Sequence, residues 1–132
     1  GEGMSNKPLT VAQSKAALLN AETEAELQAK VLELAKRRGW RCAHFRPARV
    51  TINGKETWRT PVQGDAGFFD LVLARKGTVI LVELKREDGE QTRQQFDWDY
   101  EARPFTHHVP TPSHHVYLWR PSDWPEIERV LA

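Results

Sequence analysis

Apolar residues recur every three or four positions in some parts of the chain and alternate with polar residues in others. The longer period is typical of a helix with one buried face, and Gly39 and Pro104 are stop signals after two such segments. The helices are predicted at Val11–Leu19, Thr23–Arg38, Thr92–Arg103 and within 121–132.

Strands are indicated by alternation and by short apolar runs bounded by turn residues. The segment Thr51–Gly64 is interpreted as a loop, in which Asn53-Gly54 is able to close a small hairpin. Prolines interrupt His107–His115, which is also expected to be a loop. After the short N-terminal helix, the order α-β-β-β-α-β-α predicts an α/β fold. The strands are predicted at Trp40–Pro47, Phe68–Ala74, Thr78–Leu84 and Val116–Trp119.

Length and composition narrow the class of protein. The chain has 132 residues, of which 28% are charged and 39% hydrophobic, enough for one domain with a core. We expect that domain at 21–132, after a polar extension at 1–20 whose start, Gly1-Glu2-Gly3-Met4, has the look of a vector-derived scar. The sequence shows no membrane-spanning apolar run and no signal peptide, and its single cysteine, Cys42, excludes an internal disulfide. A cytoplasmic location is therefore expected.

The basic residues and the histidines are unevenly distributed, although the net charge is only +1. Seven basic residues and one acid lie between Arg37 and Arg59, a stretch that either binds phosphates or forms a solvated surface. The pairs His107-His108 and His114-His115 do not favour a zinc site, because neighbours on an extended chain point in opposite directions. The candidate phosphate contacts are His44, Arg46, Arg49 and Arg59.

Two predicted strands that are otherwise mostly apolar carry ionisable side chains. With Lys76-Gly77 as a two-residue turn, Asp70 faces Glu83 across the hairpin. Lys85 follows two residues later and shares their face, whereas a turn longer by one residue would separate the two carboxylates. Facing carboxylates repel each other unless one is protonated or a divalent cation neutralises both. The alternative is an internal ion pair between the lysine and one acid.

The spacing of these residues resembles the PD-(D/E)XK nucleases and, more narrowly, their VRR-NUC branch. The stretch "GFFDLVLARKGTVILVELKREDGEQTRQQFDW" carries the resemblance, and "VYLWRPSDWPEIERVL" is similar to the C-terminal part of stand-alone phage members. Together the resemblance covers about residues 23–131. Phe69 stands where the branch has a proline. Because a proline at that position has no chemical role, this difference does not affect the expected activity. The matching positions are Gly67, Asp70, Leu71, Glu83, Lys85, Gly89, Thr92 and Gln95, followed by Trp98.

The resemblance implies a restriction-endonuclease-like fold, with a central mixed sheet flanked by helices, and metal-dependent cleavage of DNA. Asp70, Glu83 and the backbone carbonyl of Leu84 would bind Mg²⁺ or Mn²⁺. Lys85 would lie beside the attacking water. No organic cofactor and no membrane partner are implied.

Residues from two helices are expected to complete the site. Such nucleases usually add a glutamate from the first helix, and on a helical wheel Glu24 lies about 35° from the centre of the apolar stripe and Glu26 about 125°. Glu24 is therefore the expected metal ligand, while Glu26 fits a capping box with Thr23. From the later helix Gln95 would position the site, although Thr92-x-x-Gln95 also matches a capping box.

The expected function is that of a structure-selective DNA endonuclease acting on Holliday junctions or related branched DNA. A homodimer is expected because two sites related by a two-fold axis can cut two strands of like polarity in a junction. The alternatives are a nucleic-acid-binding or assembly subunit that does not cut, and a subunit that cuts only within a larger complex. Candidate interface residues, unless they pack the domain itself, are Trp40, Trp58, Trp98 and Trp124.

Overall fold

The computed structural model is an α/β protein with a four-stranded mixed sheet, which confirms the predicted α/β class. It describes residues 7–45, 48–59, 64–103, 105–106, 109–110 and 115–132. The helices are α1 (Val11–Ala21), α2 (Glu24–Arg37), α3 (Arg93–Ala102) and α4 (Trp124–Leu131), the last preceded by a 3-10 turn at Pro121–Asp123. The strands are β1 (Arg41–His44), β2 (Ala48–Ile52), β3 (Lys55–Arg59), β4 (Leu71–Arg75), β5 (Thr78–Leu84), β6 (Phe105–Thr106), β7 (Val109–Pro110) and β8 (Val116–Trp119).

The main sheet has the strand order β1-β4-β5-β8. β1, β4 and β5 are antiparallel neighbours, whereas β8 pairs in parallel with β5 after the crossover that contains α3. Helix α2 lies against β1 and β5, and α4 lies against α2. These elements bury one apolar core, which includes Leu27, Val31, Ala35, Leu71, Leu73, Ile80, Val82, Trp119, Ile127 and Leu131. Among the described residues, we find no helix with the length and apolarity needed to cross a bilayer.

The β4–β5 hairpin has the predicted two-residue turn, with Arg75 paired to Thr78. Both turn residues have positive φ, 48° at Lys76 and 84° at Gly77, which is the backbone geometry of a type I′ turn. The ladder continues from there to Leu71 paired with Val82. The turn thereby places the two acidic residues at the far end of the hairpin.

The segment predicted as a loop at 51–64 forms strand structure over much of its length. β2 and β3 pair around Asn53-Gly54, so the predicted turn is confirmed and the loop assignment is wrong. A hairpin outside the main sheet needs no strictly alternating apolar face, and polar residues dominate β3, so hydrophobic periodicity gave no strand signal there. The same holds for the short β6–β7 pair, part of which lies in the predicted loop 107–115.

Two of the tryptophans considered for a dimer interface pack against other residues of the same domain. Trp40 is 6% exposed and donates from Nε1 to the carbonyl of Leu131 at 3.0 Å. Trp124 packs against the core, with Nζ of Lys30 4.5 Å from the centroid of its ring. Trp98 donates to a backbone carbonyl within the chain, and the side chain of Trp58 lies outside the described residues. Core packing thus accounts for Trp40 and Trp124, and the homodimer stays a prediction.

Candidate active site

The open end of the β4–β5 hairpin brings Asp70 and Glu83 together. The regular ladder ends at Leu71 and Val82, one residue before these two acids would pair. Beyond it, the N–H of Asp70 donates to the carbonyl of Val82 at 2.9 Å. Oδ2 of Asp70 accepts a hydrogen bond from the N–H of Leu84 at 2.7 Å. A side chain therefore replaces a backbone acceptor at the end of the ladder and fixes the Asp70 carboxylate beside β5.

Glu83 and Lys85 are ionisable residues in a buried position, with 3% and 6% of their surfaces exposed. Gln91 donates a hydrogen bond to the Glu83 carboxylate. The second oxygen, Oε2, is buried and has no hydrogen-bond partner within the part of the chain that the structure describes. A buried carboxylate oxygen without a donor is unfavourable, so this atom marks a place for a cation or an ordered water.

The electrostatics of the two carboxyl groups are coupled. Burial raises the pKa of Glu83 above its usual value, and the negative charges of Asp70 and Asp99 add to the increase. The hydrogen bond from Gln91 and the positive charge of Lys85 lower that pKa in part. These opposing effects leave the carboxylate form of Glu83 less stable than it is in water.

Burial also raises the pKa of Asp70, and the charge of Glu24 raises it further. The hydrogen bond from Leu84 and the charge of Lys85 act in the opposite direction. Lys85 thus interacts with both carboxyl groups, and one lysine does not restore either pKa to its usual value.

The donor set fits a hard divalent cation. Mg²⁺ is usually held by one or two carboxylates, with waters and substrate phosphates completing its coordination. The described residues contain no cluster of three or more acidic, histidine or cysteine side chains arranged to hold a metal. Asp70 and Glu83, with the unpartnered oxygen of Glu83, match the smaller, open type of site.

The structure distinguishes the two candidate glutamates of α2. Glu24 lines the same groove as Asp70 and interacts with it electrostatically. Glu26 caps its own helix: its N–H donates to Oγ1 of Thr23 at 3.1 Å, and its Oε1 accepts from the Thr23 hydroxyl at 3.0 Å. The predicted capping box is confirmed, and metal binding by Glu24 stays a prediction.

Substituting these two glutamates separately is expected to affect different properties. Glu24→Ala should slow metal-dependent cleavage and raise the metal concentration that cleavage needs. Its stability should change little, because relief of the repulsion of Asp70 offsets the loss of an acid from the first turn of α2. Glu26→Ala should lower the free energy of unfolding by about 1 kcal/mol through loss of the cap. Cleavage rates across a Mn²⁺ titration and thermal unfolding check both, and the reverse pattern would contradict the assignment.

Gln91 hydrogen-bonds to Glu83, whereas Gln95 forms the predicted capping box, and the role of Gln95 in positioning the site stays a prediction. Gln95 forms a capping box, in which Oε1 accepts from the N–H of Thr92 at 2.9 Å and its own N–H donates to Oγ1 of Thr92 at 3.2 Å. A capping side chain turns toward the first turn of its own helix. Gln91 comes before the cap residue Thr92, so its side chain is not held by the capping box. This position is the sequence signal that could have identified Gln91 as the glutamine that contacts Glu83.

Of the residues predicted to contact phosphate, the structure describes the side chain of His44 but not those of the three arginines. His44 lies beside the acidic site, in the groove that Asp70 lines, and its Nδ1 is 3.5 Å from Nε2 of Gln28. Arg46 lies outside the described residues, as do the side chains of Arg49 and Arg59. Of the histidine pairs, His107-His108 and His114 also lie outside them, and Nδ1 of His115 is 3.3 Å from the carbonyl oxygen of Val79.

The arrangement brings together the groups that a hydrolytic metal site uses: a buried carboxylate, a half-buried carboxylate, a buried lysine and an acid on α2. Carboxylates hold the cation, and an ammonium group stabilises negative charge that develops on a phosphate. No family model, curated protein or solved structure matches the chain.

Proposed function

We propose that the protein is a metal-dependent, structure-selective DNA endonuclease that acts on Holliday junctions or related branched DNA. The observation that carries the proposal is the convergence of Asp70, Glu83 and Lys85 at one end of the β4–β5 hairpin. The resemblance to the VRR-NUC branch supports it and extends it to a restriction-endonuclease-like fold. The four-stranded mixed sheet with helices is compatible with that fold.

The residues divide the chemistry among them. When bound, Mg²⁺ or Mn²⁺ supplies the Lewis acid and the activation of water that phosphodiester hydrolysis needs. Asp70 and Glu83 would hold it, together with the carbonyl of Leu84 and the carboxylate of Glu24. Gln91 holds the Glu83 carboxylate in place.

Lys85 would act on the reacting groups rather than on the metal. Its positive charge would stabilise the charge that develops on the phosphate, or orient the attacking water. Because Lys85 is 6% exposed, its charge is poorly screened by solvent and acts strongly on neighbouring groups.

The main alternative is a nucleic-acid-binding or assembly subunit that retains a nuclease fold without cutting, or that cuts only in a larger complex. Burying Glu83 and Lys85 beside the half-buried Asp70 is unfavourable, and a protein that does not cut has no need of all three groups. The raised pKa values of Asp70 and Glu83 are typical of a functional site.

Cleavage of defined DNA substrates tests the proposal. Purified protein should cut labelled four-way junctions or flaps when Mg²⁺ or Mn²⁺ is present, cut plain duplex poorly, and cut nothing in EDTA. Binding of junctions without cleavage under any divalent cation would favour the non-cutting subunit instead.

The same preparation tests the proposed homodimer. Paired cuts in two strands and a mass of twice 15.2 kDa by light scattering are expected. A monomer mass with and without junction DNA would contradict the homodimer and favour a nicking enzyme or a subunit of a larger assembly.

A further inference from the structure

A groove between α2 and β1 leads away from Asp70 and is larger than metal binding requires. Its volume is about 670 Å³, within the range of pockets that hold organic ligands. Helix α2 lines one side of the groove, and the end of β1 lines the other. Described residues that line it, besides Asp70 and Leu84, include Glu24, Gln28, Leu32, Lys36, His44 and Phe45.

The α2 wall is a single stripe along the helix. Its residues Glu24, Gln28, Leu32 and Lys36 are spaced by four and therefore lie on one face. At 1.5 Å per residue the stripe is about 18 Å long. It begins with an acid beside Asp70 and ends with a cation, so a chain of phosphates that leaves the acidic site meets a positive charge at the far end.

The opposite side presents an aromatic ring. Phe45 is 39% exposed, and Phe68 meets it edge to face with the ring centroids 5.7 Å apart. Phe68 in turn contacts Trp98 at 4.9 Å, so the aromatic cluster supports Phe45 from one side. An exposed, supported ring next to a candidate catalytic carboxylate is suited to stacking with a base.

The groove also contains groups that hydrogen-bond to the edge of a base. Nε2 of Gln28 is 3.5 Å from Nδ1 of His44, at a half-buried position. A carboxamide offers donors and an acceptor together, and imidazole offers one of each in its neutral form. These are the groups that read the Watson–Crick edge of an unpaired nucleotide.

We propose that this groove binds an unpaired nucleotide next to the scissile phosphate. Its base stacks on Phe45, its edge faces Gln28 and His44, and a following phosphate lies near Lys36. The inference rests on the proposed nuclease function and narrows the substrate class to DNA with unpaired nucleotides at the cut, such as flaps and open branch points. A base inside intact duplex is stacked and paired, and does not present its face to a protein ring.

Binding measurements with Phe45→Leu test the groove directly. The leucine keeps an apolar side chain and removes the aromatic face. Affinity for a fluorescent single-stranded oligonucleotide should fall about tenfold, the loss of one base–aromatic stack, while affinity for a blunt duplex of the same sequence stays unchanged. The matched control is Phe96→Leu, because Phe96 is 47% exposed on α3 and does not line the groove.

A second variant keeps the proposal testable if Phe45→Leu alters folding, which its thermal melt reports. Lys36→Gln, on the exposed last turn of α2, should lower the slope of log affinity against log salt by about 0.7 for single strands. The groove proposal is overturned if single-strand and duplex binding fall equally, or if Phe96→Leu has the same effect as Phe45→Leu. It is also overturned if a folded Phe45→Leu binds single strands as well as the wild type.

The two proposals fail in distinguishable ways. Selective loss of single-strand binding in a protein that never cuts DNA would support the groove and contradict the nuclease. Metal-dependent cleavage by a protein whose Phe45→Leu variant binds single strands normally would support the nuclease and contradict the groove.

Discussion

Glu83→Gln and Asp70→Asn are each expected to reduce cleavage by at least about 10²–10⁴-fold while leaving the protein folded and able to bind DNA. Both substitutions keep the shape of the side chain and remove the charge that would hold the cation. The chemical step would be lost because the proposed reaction needs a metal to polarise the phosphate. Single-turnover cleavage and DNA binding, measured on the same preparations, check this result.

The same variants are expected to be more stable than the wild type near neutral pH in the absence of metal. Burial raises the folded-state pKa of Glu83 above 4.5 and that of Asp70 above 3.8, so between these values and the raised ones the folded protein holds more protons than the unfolded chain. The free energy of unfolding therefore falls as pH rises through this interval. Glu83→Gln removes one such contribution, so its melting temperature should exceed that of the wild type at pH 7, and the difference should shrink toward pH 4.

An exposed glutamate of α2 provides the control. Glu33→Gln changes a side chain that is 72% exposed and pairs with Arg37, so it should alter neither cleavage nor the pH dependence of melting by a measurable amount. If Glu83→Gln lost cleavage only together with its melting transition, Glu83 would be a structural residue rather than a metal ligand.

Gly67→Ala is expected to have the largest effect on stability, a loss of about 2–5 kcal/mol in the free energy of unfolding. Gly67 has φ of +92°, and a Cβ there would lie 2.6 Å from the backbone carbon and 2.8 Å from the carbonyl oxygen of Gln94 in α3. Backbone atoms of a helix do not yield as a flexible side chain does, so the loop and α3 must separate. Chemical denaturation measures the loss.

The effect should extend to cleavage, because the start of α3 follows Gln91, which hydrogen-bonds to Glu83. Gly77→Ala is the matched control: its φ is +84°, yet a Cβ there meets nothing within 4 Å. The free energy of unfolding of Gly77→Ala should fall only by the cost of backbone strain, about 1–2 kcal/mol, and the folded variant should keep its cleavage rate. Equal losses in the two variants would show that backbone strain, and not contact with α3, explains the Gly67 result.

Local signals in the sequence were sufficient to predict several parts of the fold. Thr23 and Glu26 form the capping box that begins α2, and β8 has the predicted bounds Val116–Trp119. The two-residue turn Lys76-Gly77 gave the correct register of the hairpin that carries the two acids. Capping, periodicity and turn geometry depend on residues within a few positions of one another, which is why the sequence alone predicted them.

The helical wheel also distinguished the glutamate that faces the site from the one that caps the helix, because both properties depend on the phase of α2. The placement of Asp70, Glu83 and Lys85 in mostly apolar strands, and then the family resemblance, pointed to these three residues. Their burial and the mutual effects on their pKa values depend on how closely β4, β5 and α2 pack, and no spacing along the chain contains that information.

Other features of the site were decided by the tertiary structure alone. The contact of Gln91 with Glu83, the edge-to-face support of Phe45 and the approach of Gly67 to α3 each join residues from different segments of the chain. Local signals in the sequence predicted α2, the β4–β5 hairpin, β8 and the residue types available for chemistry, but missed β3 and the β6–β7 pair. Packing of α2 and α3 around the end of the hairpin decided which of those residues meet, since burial and charge act across space and not along the chain.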